Sequence, residues 1–199
     1  MNNRFHNLRS TLARIVEPTI EPVTIALLKK HARVGDCNDE DVVYERYLKL
    51  GREMVETDLQ RALITQTWQL HMDRFPSDAI ELRICPVQSV TSVTYVDGLG
   101  VTQTWSPANY IANVQSEPGR IALAYGQAWP VARCQENSVT VTFVAGYGGV
   151  SSVPERACQA IRLLAAEAII SREAVGTLVD EQMANYRAII DRIRWSGYR

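Results

Sequence analysis

The hydrophobic period of this chain changes twice, and that change restricts its fold more than any short motif does. From Asp39 to Leu63 apolar residues recur at helical spacing, after Thr65 they alternate with polar ones, and beyond Pro154 the helical spacing returns. A repeat of 3.6 and a repeat of 2 present different faces of the backbone, so one pattern cannot be satisfied by the other element. The reading is an α+β fold: a helical bundle with a β-rich insertion between the N-terminal and C-terminal helices. Neither helical end supplies a large core alone, so the 199 residues are expected to form one integrated α+β domain. Its parts are an N-terminal arm (1–20), N-terminal helices (21–64), a β-rich insertion (65–150), C-terminal helices (151–194) and a short tail (195–199).

In the arm, Phe5, Leu8, Leu12, Ile15 and Val16 make a weak helical stripe carrying Arg4, Arg9 and Arg14. It reads either as a partner-binding arm or as local packing with partial disorder, because short isolated helices are marginal in water. Thr24 is a candidate cap for a short helix through His31. The longer helix is expected over 39–63, capped by Asn38 or Asp39. Its buried face is read as Val43, Tyr47, Leu50, Met54, Leu59 and Leu63, with Val42, Leu48 and Val55 at the margins. Gly51 costs roughly 1 kcal/mol against Ala and therefore marks close packing or a bend. Glu53, Glu56 and Asp58 read as solvated carboxylates.

In the insertion, Trp68, Leu70 and Met72 alternate with Gln69 and His71. Val87 to Val96 is rich in strand-forming residues and leads into an Asp97-Gly98 hairpin turn, with the return strand at 101–105. Further strands are expected at 82–84 and 120–123. The clearest strand is Val139 to Ala145, with Val139, Val141, Phe143 and Ala145 on one face. Gly146-Tyr147-Gly148-Gly149 ends it and reads as a turn, since neither GxGxxG nor GxxxxGK[ST] is present. Ser151 or Ser152 is a candidate cap for the next helix, with Pro154 in its first turn and Ala157, Ile161, Leu164, Ala168 and Ile169 forming a small-residue stripe. A final helix is expected over 180–194, with Met183, Tyr186, Ile189, Ile190 and Ile193 inward and Arg187, Arg192 and Arg194 outward.

Formal net charge is −1, from 21 Lys plus Arg against 22 Asp plus Glu, so no global cationic field advertises nucleic acid or membrane binding. Along the chain the charge is segmented: the first 34 residues are basic and 35–64 are acidic, which lets a positive arm meet an acidic surface on a neighbouring copy or another protein, a solvated arm being an equally physical use of the same pattern. No run approaches the roughly 18 apolar residues of a membrane helix, and a soluble cytosolic product is the expectation. Cys37, Cys85, Cys134 and Cys158 contain no CxxC pair, and Cys85 and Cys158 read as buried side chains. His6, His31 and His71 show no metal-ligand spacing. No GxSxG elbow or Cys-His spacing suggests nucleophilic catalysis. No catalytic residue, cofactor or metal ligand is assigned, and the chain is not expected to be an enzyme.

The serial order of landmarks resembles the head-tail connector, or adaptor, family of tailed bacteriophages, prophages and phage-like particles. The resemblance starts at Pro22-Val23-Thr24 and the segment through 30–34. It sharpens at Arg61-Ala62-Leu63-Ile64-Thr65-Gln66-Thr67-Trp68 and at 86–95, and continues through Pro107-Ala108-Asn109-Tyr110, Gly119-Arg120-Ile121, Trp129-Pro130, 141–148 and Val153-Pro154. It spans about residues 22–175. The chain departs from the family where relatives carry an aromatic-Thr-Gly element. Here Asp58-Leu59-Gln60-Arg61 stands instead, so the helix is expected to run farther. The first twenty residues are a second departure.

The resemblance implies a virion-neck protein, assembled in the host cytoplasm, that forms a homo-oligomeric ring, usually a dodecamer, beneath the capsid portal. It implies a portal partner, a stopper or tail-completion partner, transient passage of double-stranded DNA without sequence-specific binding, and no membrane. Another neck or tail-completion protein is the alternative, and a cellular nucleic-acid-binding module a more distant one. Within the matching motifs, Trp68 and Tyr95 are read as core or inter-sheet packing residues. Expected assembly contacts are Arg4, Arg9, Arg14, Arg61, Tyr147, Arg187, Arg192, Arg194, Trp195, Tyr198 and Arg199. The basic-aromatic tail Arg194-Trp195-Ser196-Gly197-Tyr198-Arg199 is the preferred portal-binding element.

Overall fold

The computed structural model describes residues 10–35, 39–171 and 180–196. It is an α+β fold in which helices before and after the insertion flank a set of β-strands. By internal contacts the chain divides into two compact units, a β unit (1–17 and 66–146) and a helical unit (18–65 and 147–199).

In the β unit a five-stranded antiparallel sheet has the order β1 (Ser10–Val16), β2 (Gln66–Met72), β8 (Val139–Ala145), β4 (Val87–Val96) and β5 (Thr102–Trp105). A three-stranded sheet runs β3 (Ile80–Leu82), β7 (Gly119–Leu123) and β6 (Tyr110–Asn113). The alternation read for β8 holds residue by residue: Val139, Val141, Phe143 and Ala145 are buried, and the residues between them only partly so. A stacked cluster ties the two sheets together, with Phe75 against Trp129 at 5.0 Å and Trp105 against Tyr110 at 5.4 Å between ring centroids. Tyr95 meets Phe75 edge-on and so joins this aromatic cluster. The strand expected at 82–84 lies earlier, at Ile80–Leu82, where it pairs with β7 and leaves Ile84 outside.

The arm's helical stripe is not realised where it is described. Residues 10–16 form a strand whose partner is β2, with Leu12 opposite Leu70 and Arg14 opposite Trp68. A weak local pattern yields here to a ladder that satisfies the free edge of β2, and the Arg14 guanidinium lies 5.9 Å from the Trp68 ring centroid.

In the helical unit, α1 (Ile25–Ala32) is capped as expected, the Thr24 hydroxyl accepting from the Leu27 amide at 3.3 Å. The long helix α2 is shorter than the sequence suggests, spanning Asp41–Leu59. Glu40 takes the N-cap position without a side-chain cap bond. At the other end Gln60 turns left-handed (φ 53°) and its amide closes onto the Glu56 and Thr57 carbonyls, so the helix stops before Arg61. The buried face is also rotated from expectation. Tyr44, Leu48, Gly51, Arg52, Val55, Glu56 and Leu59 face inward, whereas Val43 and Leu50 are exposed. The cause is Gly51: its missing Cβ would sit 3.4 Å from the Ile161 carbonyl oxygen and 3.7 Å from the Leu164 Cβ, so the glycine face is where the next helix approaches.

That helix is α3 (Glu155–Ser171), and Ala157, Ile161, Leu164 and Ala168 are buried along it. Ser151 and Ser152 lie in a 3-10 turn, and the Pro154 carbonyl accepts the Ala157 and Cys158 amides at the start of α3. The last helix, α4 (Asp180–Ser196), places Tyr186, Ile190 and Ile193 in the same core, with Met183 and Ile189 packed against it. Cys85 and Cys158 are buried free thiols, as read.

Candidate assembly interface

Four arrangements stand out, three in the helical unit and one in the β unit. The first fixes the chain where it leaves and re-enters the helical unit. Tyr147 sits between two glycines with positive φ, Gly146 at 130° and Gly148 at 112°, a path that a Cβ would strain. The Tyr147 amide donates to the Leu63 carbonyl at 3.1 Å and the Thr65 amide to Gly148 at 3.2 Å. Arg61 Nη1 then donates to the Tyr147 hydroxyl at 2.9 Å, bringing together two residues expected at an assembly contact.

Beneath them is a polar network that the sequence reading missed. Arg52, 1% exposed, donates from Nε to Glu21 at 2.8 Å and from Nη1 to Glu56 at 2.7 Å. The other Glu56 oxygen accepts the Leu63 amide at 2.8 Å. Glu56 is therefore a buried structural anion, against its expected solvation, because a buried guanidinium requires a compensating charge. The signal was present as an Arg-Glu pair four residues apart inside an apolar stripe.

The second arrangement gathers on Asp58, at the C-terminal end of α2. The Tyr186 hydroxyl donates to its carboxylate at 2.6 Å, and Arg194 donates to its backbone carbonyl through both Nε and Nη2. A cation at the carbonyl end of a helix complements the helix dipole. Burial first, and then the bond to Asp58, push the Tyr186 hydroxyl well above the usual phenol range. Arg187 and Arg192 are exposed on α4. Arg4, Arg9, Tyr198, Arg199 and the side chain of Trp195 lie outside the described residues, while Arg14 belongs to β1, 3.6 Å from Glu17.

The third is a groove of about 550 Å3 between the segment leading into α1 and the first half of α2, lined by Pro18, Ile20, Val23, Val42, Leu48 and Glu45 among others. The fourth is the tip of the β4–β5 hairpin. The Asp97 carboxylate accepts the Leu99 amide at 2.9 Å, the Val101 amide at 3.0 Å and the Gln103 side chain at 2.9 Å. Those bonds, with that of Gln103 the largest, hold the Asp97 carboxyl below its usual range. The loop is thus braced around Leu99, which is 90% exposed.

Among the described residues no group of three or more His, Cys, Asp or Glu is placed to hold a metal ion, and no helix is long and apolar enough to cross a membrane. His71 sits on β2 with Nδ1 3.1 Å from the Thr140 hydroxyl. The geometry offers braced surfaces, with buried charge spent on fixing chain crossings.

No family model matches the chain, and no curated protein matches it. Solved structures do. A chain in the virion of a native gene transfer agent particle aligns with a TM-score of 0.75 at 25% identity, over 92% of this chain and 95% of that one. A chain in the neck of the empty gene transfer agent particle, computed with C6 symmetry, aligns with a TM-score of 0.73 at 27% identity over the same shares. A chain in the neck of the native particle, computed with C12 symmetry, shares the fold at a TM-score of 0.72 and 24% identity, over 92% of this chain and 94% of that one. The chain's fold is α+β, with helices before and after a β-rich insertion. The near-complete alignment supports its assignment to the head-tail connector, or adaptor-like, family.

Proposed function

We propose that the chain is a structural neck component, a head-tail connector that assembles as a ring beneath a capsid portal, extends the DNA channel and forms a platform for a stopper or tail-completion protein. The observation that carries this reading is the alignment, over 92% of the chain, to a protein in the neck of a gene transfer agent particle. The local physics agrees with a mechanical role. A ring subunit must transmit load without chemistry, and the Arg52 network and the Arg61–Tyr147 bond brace the chain crossings that would carry it. The formal charge of −1 suits a conduit along which DNA slides. In this reading Arg187, Arg192 and the tail beyond Arg194 face the portal, Arg14 and the residues before it reach a neighbouring copy, and the ring is a dodecamer.

The test is binding of the full chain to a purified portal ring, with duplex DNA alone as the comparison. The reading expects a portal complex and no appreciable binding to DNA alone. Tight portal-independent DNA binding that weakens steeply with salt contradicts it and favours a nucleic-acid-binding module.

A further inference from the structure

Two features, one in each unit, are of complementary character: an exposed apolar hairpin tip and a largely apolar groove. The β4–β5 tip carries an exposed leucine on a loop that has already lost its conformational freedom. Besides the Asp97 bonds, Gly100 adopts φ +86°, and a Cβ there would stand 2.7 Å from Arg133 Nη1. The Arg133 amide in turn donates to the Val96 carbonyl at 2.8 Å. Hairpin tips normally carry polar residues, and an apolar side chain on a braced backbone is the form an anchor takes, because the backbone's ordering cost is met before binding. The groove beside α2 supplies the complement: apolar walls from Ile20, Val23 and Val42, with the exposed carboxylate of Glu45 at its edge and Arg46 and Lys49 also among its lining residues. Arg133, exposed beside the tip, places a cation next to Leu99's loop.

We propose, resting on the ring reading above, that Leu99 at the hairpin tip of one copy seats in the groove of the next copy, between its 18–25 segment and α2, with Arg133 meeting Glu45 across the contact. A knob and a hole at different places on one subunit make a head-to-tail interface, the kind that closes into a ring when the rotation per step is a whole fraction of a turn. The similar neck structures were computed with C6 and C12 symmetry, which is the setting such an interface requires.

The experiment is disulfide trapping with the full chain. In a background carrying Cys37→Ser and Cys134→Ser, the pair Leu99→Cys and Val42→Cys is oxidised with diamide, which takes up the two protons and two electrons released as the S–S bond forms. The expected result is a ladder of covalent multimers, absent when Val42→Cys is replaced by Val150→Cys. Without cysteines, Glu45→Arg is expected to weaken self-association at least tenfold, and adding Arg133→Glu in the same chain to restore it, with circular dichroism unchanged throughout. No ladder, an equal ladder from the Val150 pair, or cross-linking only within one chain overturns the contact. Rings seen in assembled necks without this ladder overturn the contact and leave the ring reading intact. A ladder of open chains that never closes leaves the contact and overturns the ring.

Discussion

Arg52 and Glu56, one helical turn apart on α2, form an ion pair of 2.7 Å inside the helical core, and Glu56 uses its second oxygen to hold the Leu63 amide. The pair therefore joins a helix to the chain segment that leaves it. Glu56→Ala leaves the guanidinium with Glu21 as its hydrogen-bonded carboxylate and strands the Leu63 amide, and is expected to destabilise the helical unit by about 1–3 kcal/mol. Urea unfolding followed at 222 nm measures this, and a loss below about 1 kcal/mol would show that the network is not structural.

The Tyr186–Asp58 bond gives the helical unit an alkaline limit. Burial, then the bond to Asp58, raise the folded-state pKa of Tyr186 above its unfolded value. A group with a raised folded pKa contributes stability that is fully present below the unfolded pKa, about 10 for a tyrosine, and is lost as pH rises beyond it. Stability is therefore expected to fall above about pH 10, and the fall to be smaller in Tyr186→Phe. Absorbance at 295 nm should show Tyr186, and Tyr110, whose hydroxyl is also raised by burial, ionising later than exposed tyrosines. Identical alkaline slopes in the two proteins would refute the assignment.

Gly51 sets how closely α2 and α3 approach. Gly51→Ala gains up to about 1 kcal/mol of helix propensity against a 3.4 Å contact with the Ile161 carbonyl, and is expected to be near neutral. Gly51→Leu forces the helices apart and should cost about 1–3 kcal/mol. Thermal unfolding of the two variants checks the difference, and equal effects would mean that the close approach is not limiting.

The tail beyond Arg194 is proposed to anchor the portal. Deleting residues 195–199 keeps the Arg194 bonds to Asp58 and is expected to weaken portal-ring binding by at least tenfold while leaving the thermal midpoint unchanged. Unchanged portal binding in a pull-down or by calorimetry rejects the tail as an anchor.

What the sequence made legible follows from where the physics is local. The alternation of β8, the Thr24 cap and the inward face of α4 each depend on a few neighbouring residues, and the structure has all three. The strand at Ser10–Val16 was hidden because its partner, β2, lies some fifty residues away and supplies the ladder that decides its conformation. The rotated face of α2 was hidden for a related reason. Apolar Val43 and Leu50 fit a helical stripe as well as Leu48 and Val55 do, and only the approach of Ile161 to Gly51 selects between them. Arg61 and Tyr147 were found as separate residues within motifs, but their bond joins positions 86 apart, which no spacing rule reaches.

The most direct test of the central claim is cryo-electron microscopy of the assembled neck. The account predicts this chain as a closed ring between portal and stopper, with the axial channel passing through it. Density for the chain at any other place in the particle, or its absence from the neck, would contradict the connector assignment.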